Sequence, residues 1–298
     1  MTADTAAAIR PRRSALFMPG SNERALDKAK TLPCDMVLMD LEDGVAPDAK
    51  EAARRRLVEI TGEGGYAPRE VLIRVNAHGT EWFDDDVDAV ARSGADGLIV
   101  PKTDDAASVH AVAKRLDRAG AKPSMAIWCM IETARGVLNA RDIAASHPRL
   151  GGFIFGAADL SKDLRALHTP DRLPVMTAMQ LTILAARANG LSVLDSPHFD
   201  LSDDAGFLAA CRQARAFGFD GKALIHPKTI AGANASFGPS ADQIERARRI
   251  IAAHGAALAA GQGVTLLDGQ LVEGLHVIEA RRLIALADAI ARIEGAAG

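Results

Sequence analysis

The chain has 298 residues, 48 % of them hydrophobic and 24 % charged, enough for one large core or a core with an appendage. A formal net charge of −3 and an aromatic content of 4 % argue against nucleic acid and an anionic membrane, which call for a basic face or stacking rings. The three cysteines, Cys34, Cys129 and Cys211, are odd in number and share no Cys-x-x-Cys spacing, which argues against a disulfide framework or thiolate zinc site and for buried filler.

The opening MTADTAAAIRPRR carries an acid early and its bases late, unlike a signal peptide, and no apolar run reaches membrane-spanning length. A cytoplasmic enzyme with a disordered tail over residues 1–12 is expected. Short apolar runs then recur in order: ALFMP, MVLMDLED, VLIRVN, GLIVPKT, MAIWCMIET, GFIFGAADL, LSVLDSPH and KALIHPKT. Each precedes a polar or Gly/Pro cluster and a helix-like stretch, which is the rhythm of β-loop-α units. In NERALDKAKTL, Ala25, Leu26, Ala29 and Leu32 fall at helical spacing, and FDDDVDAVARSG is expected to end on a glycine cap at Gly94. Near-continuous apolar strands suit a parallel sheet covered on both faces, and eight units in about 230 residues match a closed (β/α)8 TIM barrel over residues 13–237. A doubly wound sheet is the alternative, but no Gly-x-Gly-x-x-Gly follows the first strand.

Residues 238–298 read as a C-terminal lid or oligomerisation segment. NASFGPS looks like a linker, and Ser240 to Gln243 forms a capping box before the amphipathic QIERARRIIAAHGAALAAG. An Asp268-Gly269 turn lies between two short extended pieces, and VIEARRLIALADAIARI is a final helix.

In a barrel the working groups lie at the C-terminal strand ends. Those ends carry Asp40, Glu42 and Asp43, then Arg74 and Asn76, Lys102, Glu132, Asp159, Asp195 and His198, and His226. Carboxylates dominate, with no nucleophile–histidine–acid set. Glu132 and Asp159 follow neighbouring strands, and two carboxylates plus waters suit Mg²⁺. The competing reading makes Asp159 a helix N-cap and pairs Glu132 with Arg135. Arg74 offers a planar fork to a carboxylate or developing oxyanion; the competing reading, an internal pair with Glu42, is compatible with it. Asp40 and Glu42, two residues apart, are read as partners orienting Arg74 and the metal waters. His226 reads as a packed structural residue and His198 as solvent-facing.

These motifs in this order, from RSALFMPGSNERALDKA through MVLMDLEDGV with Pro47 and Lys50, LIRVN, GLIVPKT, MIET with Arg135-Gly136 and FGAADLSKDL to GKALIHPKTI with Asn234 and Phe237, resemble the citrate lyase β-subunit-like family. That family sits in the group of HpcH/HpaI aldolases and malyl- and citramalyl-CoA lyases. The resemblance runs from about Arg13 to the last helix.

It implies an α/β barrel with a lid-like C-terminal segment, assembling as a homotrimer or hexamer. It also implies Mg²⁺, or Mn²⁺ in its place, on Glu132 and Asp159, with Arg74 and Glu42 as catalytic groups and Lys50 and Arg13 at the coenzyme A thioester. The implied reaction is Claisen-type cleavage or condensation of a malyl-, citramalyl- or citryl-CoA-like ester, giving acetyl- or propionyl-CoA and an α-keto acid. CoA-dependent members carry a catalytic aspartate before the last helix that reaches a neighbouring subunit. Here GQLVEGLH puts Glu273 at that position, with Asp268 as a possible stand-in. A malyl-CoA-type thioesterase and a carrier-dependent citrate lyase β subunit are the alternative readings.

Overall fold

The computed structural model describes residues 9–296, so residues 1–8 of the expected tail lie outside the described residues. The eight runs become β1 (Ser14–Pro19), β2 (Met36–Asp40), β3 (Glu70–Arg74), β4 (Gly97–Val100), β5 (Ala126–Ile131), β6 (Leu150–Phe155), β7 (Ser192–Asp195) and β8 (Gly221–Leu224). They pair in chain order, all parallel, and β8 returns to β1, closing a (β/α)8 TIM barrel. Between strands lie α1 (Glu23–Ala29), α2 (Lys50–Glu63), α3 (Phe83–Ala91), α4 (Ala106–Arg118), α5 (Ala134–Leu138) and α6 (Ala140–Ala144). They are followed by α7 (Ala157–Leu164), α8 (Met176–Ala188), α9 (Asp204–Phe217) and α10 (Ile230–Phe237).

Strand alternation divides the core. Ala15, Met36, Leu38, Leu72, Ile99, Trp128, Met130, Ile154, Leu194 and Ala223 cluster together as the inner filling. Their strand neighbours Leu16, Val37, Met39, Ile73, Leu98, Val100, Cys129, Phe153 and Val193 pack in the second cluster, which includes helix residues such as Leu57, Val112 and Met179. Each strand is therefore buried on both faces, which is why it reads as an unbroken apolar run. The Trp128 ring fills the place a side chain would take at Gly152, where a Cβ would lie 2.5 Å from it. At the N-terminal end of the barrel, Arg12 binds Glu70 and Ser192 and lies 5.1 Å from the Trp128 ring centroid.

The chain divides into two compact units, and the barrel unit runs Arg12–Phe237. The second unit, from Gly238 on, contains α11 (Ala241–Ala259), the antiparallel pair β9 (Thr265–Leu267) and β10 (Gln270–Val272), and α12 (Gly274–Ala296). The capping box is present: Ser240 accepts from Gln243 N while the Gln243 side chain accepts from Ser240 N. Asp268 and Gly269 turn the hairpin at φ 51° and 74°.

Two expectations are corrected. Arg92 caps α3, and Gly94 does not adopt a positive φ; it is small because a Cβ there would lie 2.1 Å from Thr61 O. Residues 234–237 of NASFGPS belong to α10, since Asn234 bonds Ser14 Oγ and Pro33 O and Phe237 is buried. Among the described residues no helix is long and apolar enough to cross a membrane.

Candidate active site

Alternation carries the inner series to the C-terminal strand ends: Asp40 stands two residues beyond Leu38, Arg74 two beyond Leu72 and Glu132 two beyond Met130. The β2–β3 register sets Asp40 directly beside Arg74. Arg74 Nε and Nη2 donate to the two Asp40 oxygens, each at 2.7 Å, a bidentate pair that fixes the guanidinium plane. The Glu42 and Gly44 amides donate to the same Asp40 carboxylate, at 2.8 Å each. Arg74 also lies 4.8 Å from the Phe17 ring centroid. Burial opposes its charge, but hydrogen bonding and charge from Asp40, then Glu42 and Glu132, outweigh that and raise its pKa.

Glu42 links this pair to the rest of the cluster. Its Oε2 lies 3.0 Å from Arg74 Nη1, while its Oε1 accepts from Lys102 Nζ at 2.5 Å. The Arg74 approach is too oblique for a hydrogen bond, so Oε2 is buried without a hydrogen-bond partner. The Arg74 charge offsets part of the cost of burying it, and its unused acceptor capacity makes it a place to look for a ligand or water. Burial raises the Glu42 pKa, with Arg74 and Lys102 acting against the shift.

Lys102 then donates its backbone N–H to Glu132 Oε1 at 2.8 Å. Glu132 is 1 % exposed, and burial, with Glu42 and Asp159 adding repulsion, pushes its pKa up to about 7 against the Lys102 hydrogen bond. Asp159 sits in the first turn of α7, half-buried, with Gly156 rather than Asp159 at the N-cap and no side-chain cap bond. The competing reading of Asp159 as the N-cap therefore does not hold, and Glu132 accepts from Lys102 N–H rather than pairing with Arg135. Among the described residues no three His, Cys, Asp or Glu form a metal cage. What the site offers is a pair of carboxylates, one buried and destabilised by its neighbours, beside an orphaned Glu42 oxygen. That donor set fits a hard divalent cation that keeps waters or substrate oxygens in its other positions.

Gly156 went unnoticed in sequence, although a glycine opening the Asp159 helix was a signal. A Cβ there would lie 2.4 Å from both Glu132 Cβ and Glu132 Oε2. Rotating the carboxylate cannot clear the Cβ contact, so Gly156→Ala should move the whole Glu132 side chain. Overpacking of this kind costs about 1–3 kcal/mol. We expect Gly156→Ala to stay folded in a melting scan while losing at least about tenfold in Mn²⁺ affinity by calorimetry, the scale of a disturbed metal support. Wild-type affinity would show that the Glu132 position does not matter.

Other residues singled out in sequence make the following contacts. Arg13 is not brought to the cluster: it stands at the other end of β1, and its Nε and Nη2 close on the Asp35 carboxylate at 2.9 Å each. Lys50 is buried, and its Nζ donates to Leu41 O and Glu42 O at 2.8 and 3.0 Å, so it holds the β2 loop. Asp195, one residue past inner-facing Leu194, turns to the helix side and is buried against Arg172 and Lys222. Asn76 bonds Asp86, also buried. His226 is exposed and accepts from Lys228 N instead of packing. His198 packs against Phe207 and faces Asp203 at 3.9 Å, so it is not simply solvent-facing. Glu273 lies in the second unit, and its backbone N–H donates to His276 Nδ1.

Residues 13–227 match the family described as HpcH/HpaI aldolase/citrate lyase. The chain is 46 % identical over 281 residues to a (3S)-malyl-CoA thioesterase of Cereibacter sphaeroides, covering 94 % of this chain and 96 % of that one. It is 35 % identical over 284 residues to the citrate lyase subunit beta of Escherichia coli, covering 94 % of each. Among solved structures, the CitE protein of Mycobacterium tuberculosis in complex with magnesium, acetoacetate and coenzyme A superposes with a TM-score of 0.75 at 31 % identity. That match covers 92 % of this chain and 97 % of CitE.

Proposed function

The chain belongs to the HpcH/HpaI aldolase/citrate lyase family, and from that premise we propose that it is a divalent-metal-dependent enzyme that hydrolyses a malyl-CoA-type thioester. The observation that carries the choice of reaction is the 46 % identity, over nearly the full length of both chains, to a protein named a malyl-CoA thioesterase. Glu273, standing where the resemblance leads one to expect an aspartate, leaves hydrolysis open. The second reading is the Claisen-type cleavage expected from sequence, supported by the 35 % identity to a citrate lyase β subunit.

In the proposal Glu132 and Asp159 hold Mg²⁺, which when bound neutralises charge on substrate oxygens as a Lewis acid. Asp40 keeps the Arg74 fork in one plane, so the Arg74 N–H groups that Asp40 does not take can face the thioester oxygen as it gains charge. Lys50 fixes the backbone that carries Glu42. Glu273, from a neighbouring copy in a trimer or hexamer, takes a proton from the attacking water. The new carbon–oxygen bond forms, the carbon–sulfur bond breaks, and the proton passes to the departing thiolate.

Incubating the protein with (3S)-malyl-CoA and Mg²⁺ separates the readings. Hydrolysis releases one free thiol and malate with no glyoxylate, whereas cleavage releases glyoxylate and acetyl-CoA with no thiol. Glyoxylate appearing without thiol would overturn hydrolysis in favour of the second reading.

A further inference from the structure

Strand alternation would send Lys102 to the helix side of the barrel. Ile99 is an inner residue and Val100 packs on the helix side, so position 102 continues the outer series. Instead Lys102 adopts φ 47°, the left-handed region that a side chain with a Cβ rarely occupies. The next residue is pinned, Thr103 N donating to Met130 O and Thr103 Oγ1 to Val100 O, so the end of β4 is held against the end of β5. The conformation thus breaks the alternation where two carboxylates need a donor. The Lys102 N–H reaches Glu132 Oε1, and its Nζ reaches Glu42 Oε1, across 30 and 60 residues of sequence. Non-glycine residues held at such angles concentrate at functional sites, where surrounding bonds over-determine them.

We propose that Lys102 is a positioning residue with two separate arms, its backbone N–H setting the orientation of Glu132 for the metal and its ammonium setting the orientation of Glu42 beside Arg74. The inference rests on the proposed metal site and assigns a role within it to a residue that does not itself bind the metal. The ammonium arm can be cut without the backbone arm. Glycine accepts φ 47° at no steric cost and keeps the N–H, whereas a β-branched residue resists it. Lys102→Gly therefore removes the ammonium alone, and Lys102→Val disturbs the backbone as well.

The test measures Mn²⁺ affinity by calorimetry on the full chain, with turnover of (3S)-malyl-CoA at saturating Mn²⁺. For Lys102→Gly the expected result is Mn²⁺ affinity equal to or tighter than wild type, because a cation beside the site has gone, with kcat at least tenfold lower. For Lys102→Val it is Mn²⁺ affinity at least tenfold weaker. A merely structural lysine would move affinity in the same direction in both variants. Lys102→Gly weakening Mn²⁺ as much as Lys102→Val, or turning over like wild type, overturns the two-arm assignment while leaving the metal site standing. A wild-type protein that binds no Mn²⁺ overturns the metal reading itself and this inference with it. A protein that binds Mn²⁺ but turns over no malyl-CoA sinks the proposed function, and the affinity comparison between the two variants then decides the role of Lys102.

Discussion

Glu132→Gln is expected to abolish divalent-metal binding and turnover together while leaving the metal-free protein more stable than wild type. Glutamine keeps the shape and can still accept from Lys102 N–H through its carbonyl oxygen, so the local geometry survives. What disappears is a negative charge at a site 1 % exposed. Loss of residues that merely support metal ligands typically costs about 10–100-fold in affinity or activity, and a direct ligand should exceed that. The stability effect has a defined sign. The folded pKa is raised from 4.5 to about 7, so below pH 4.5 the carboxyl is protonated in both states and costs nothing. Its ionisation disfavours the fold increasingly as pH rises towards 7, and fully above that. Melting with a chelator present should therefore show Glu132→Gln gaining on wild type between pH 4.5 and 7. A variant that binds Mn²⁺ like wild type would remove Glu132 from the metal site, and one that melts below wild type at pH 8 would contradict the buried-charge argument.

Arg74→Lys should lower kcat on the order of 10²–10³-fold, the cost of removing one preorganised donor from a developing oxyanion, with a much smaller change in KM. Lysine keeps a positive charge but cannot pair both Asp40 oxygens and still present a fixed edge to substrate. An Asp40 oxygen left with fewer donors at a buried position costs about 1–3 kcal/mol, so a modest fall in melting temperature should accompany the kinetic loss. The kinetic split is the decisive measurement. A raised KM at unchanged kcat would mean that Arg74 holds the substrate equally in ground and transition states.

The barrel was legible in the chain because each strand is buried on two faces and so reads as an apolar run, which makes the strand count and order visible without any partner. Alternation along a strand is equally local. Once Leu38, Leu72 and Met130 are recognised as inner residues, Asp40, Arg74 and Glu132 follow as inward groups at the working end. The same rule, applied fully, places Asp195 on the outer face, where the structure has it buried against Arg172 and Lys222. Composition alone misread residues 234–237 as linker, because small polar residues carry no helical signal until Asn234 and Phe237 find partners. The tertiary structure decided everything that depends on two distant segments meeting. The Asp40–Arg74 pair spans 34 residues, the Lys102–Glu42 pair spans 60, and the requirement for glycine at 156 comes from Glu132 on the neighbouring strand. Periodicity reports which face a residue is on when φ is ordinary; it is silent at Lys102, where contacts from outside the strand hold φ at 47° and turn an outer position towards the site.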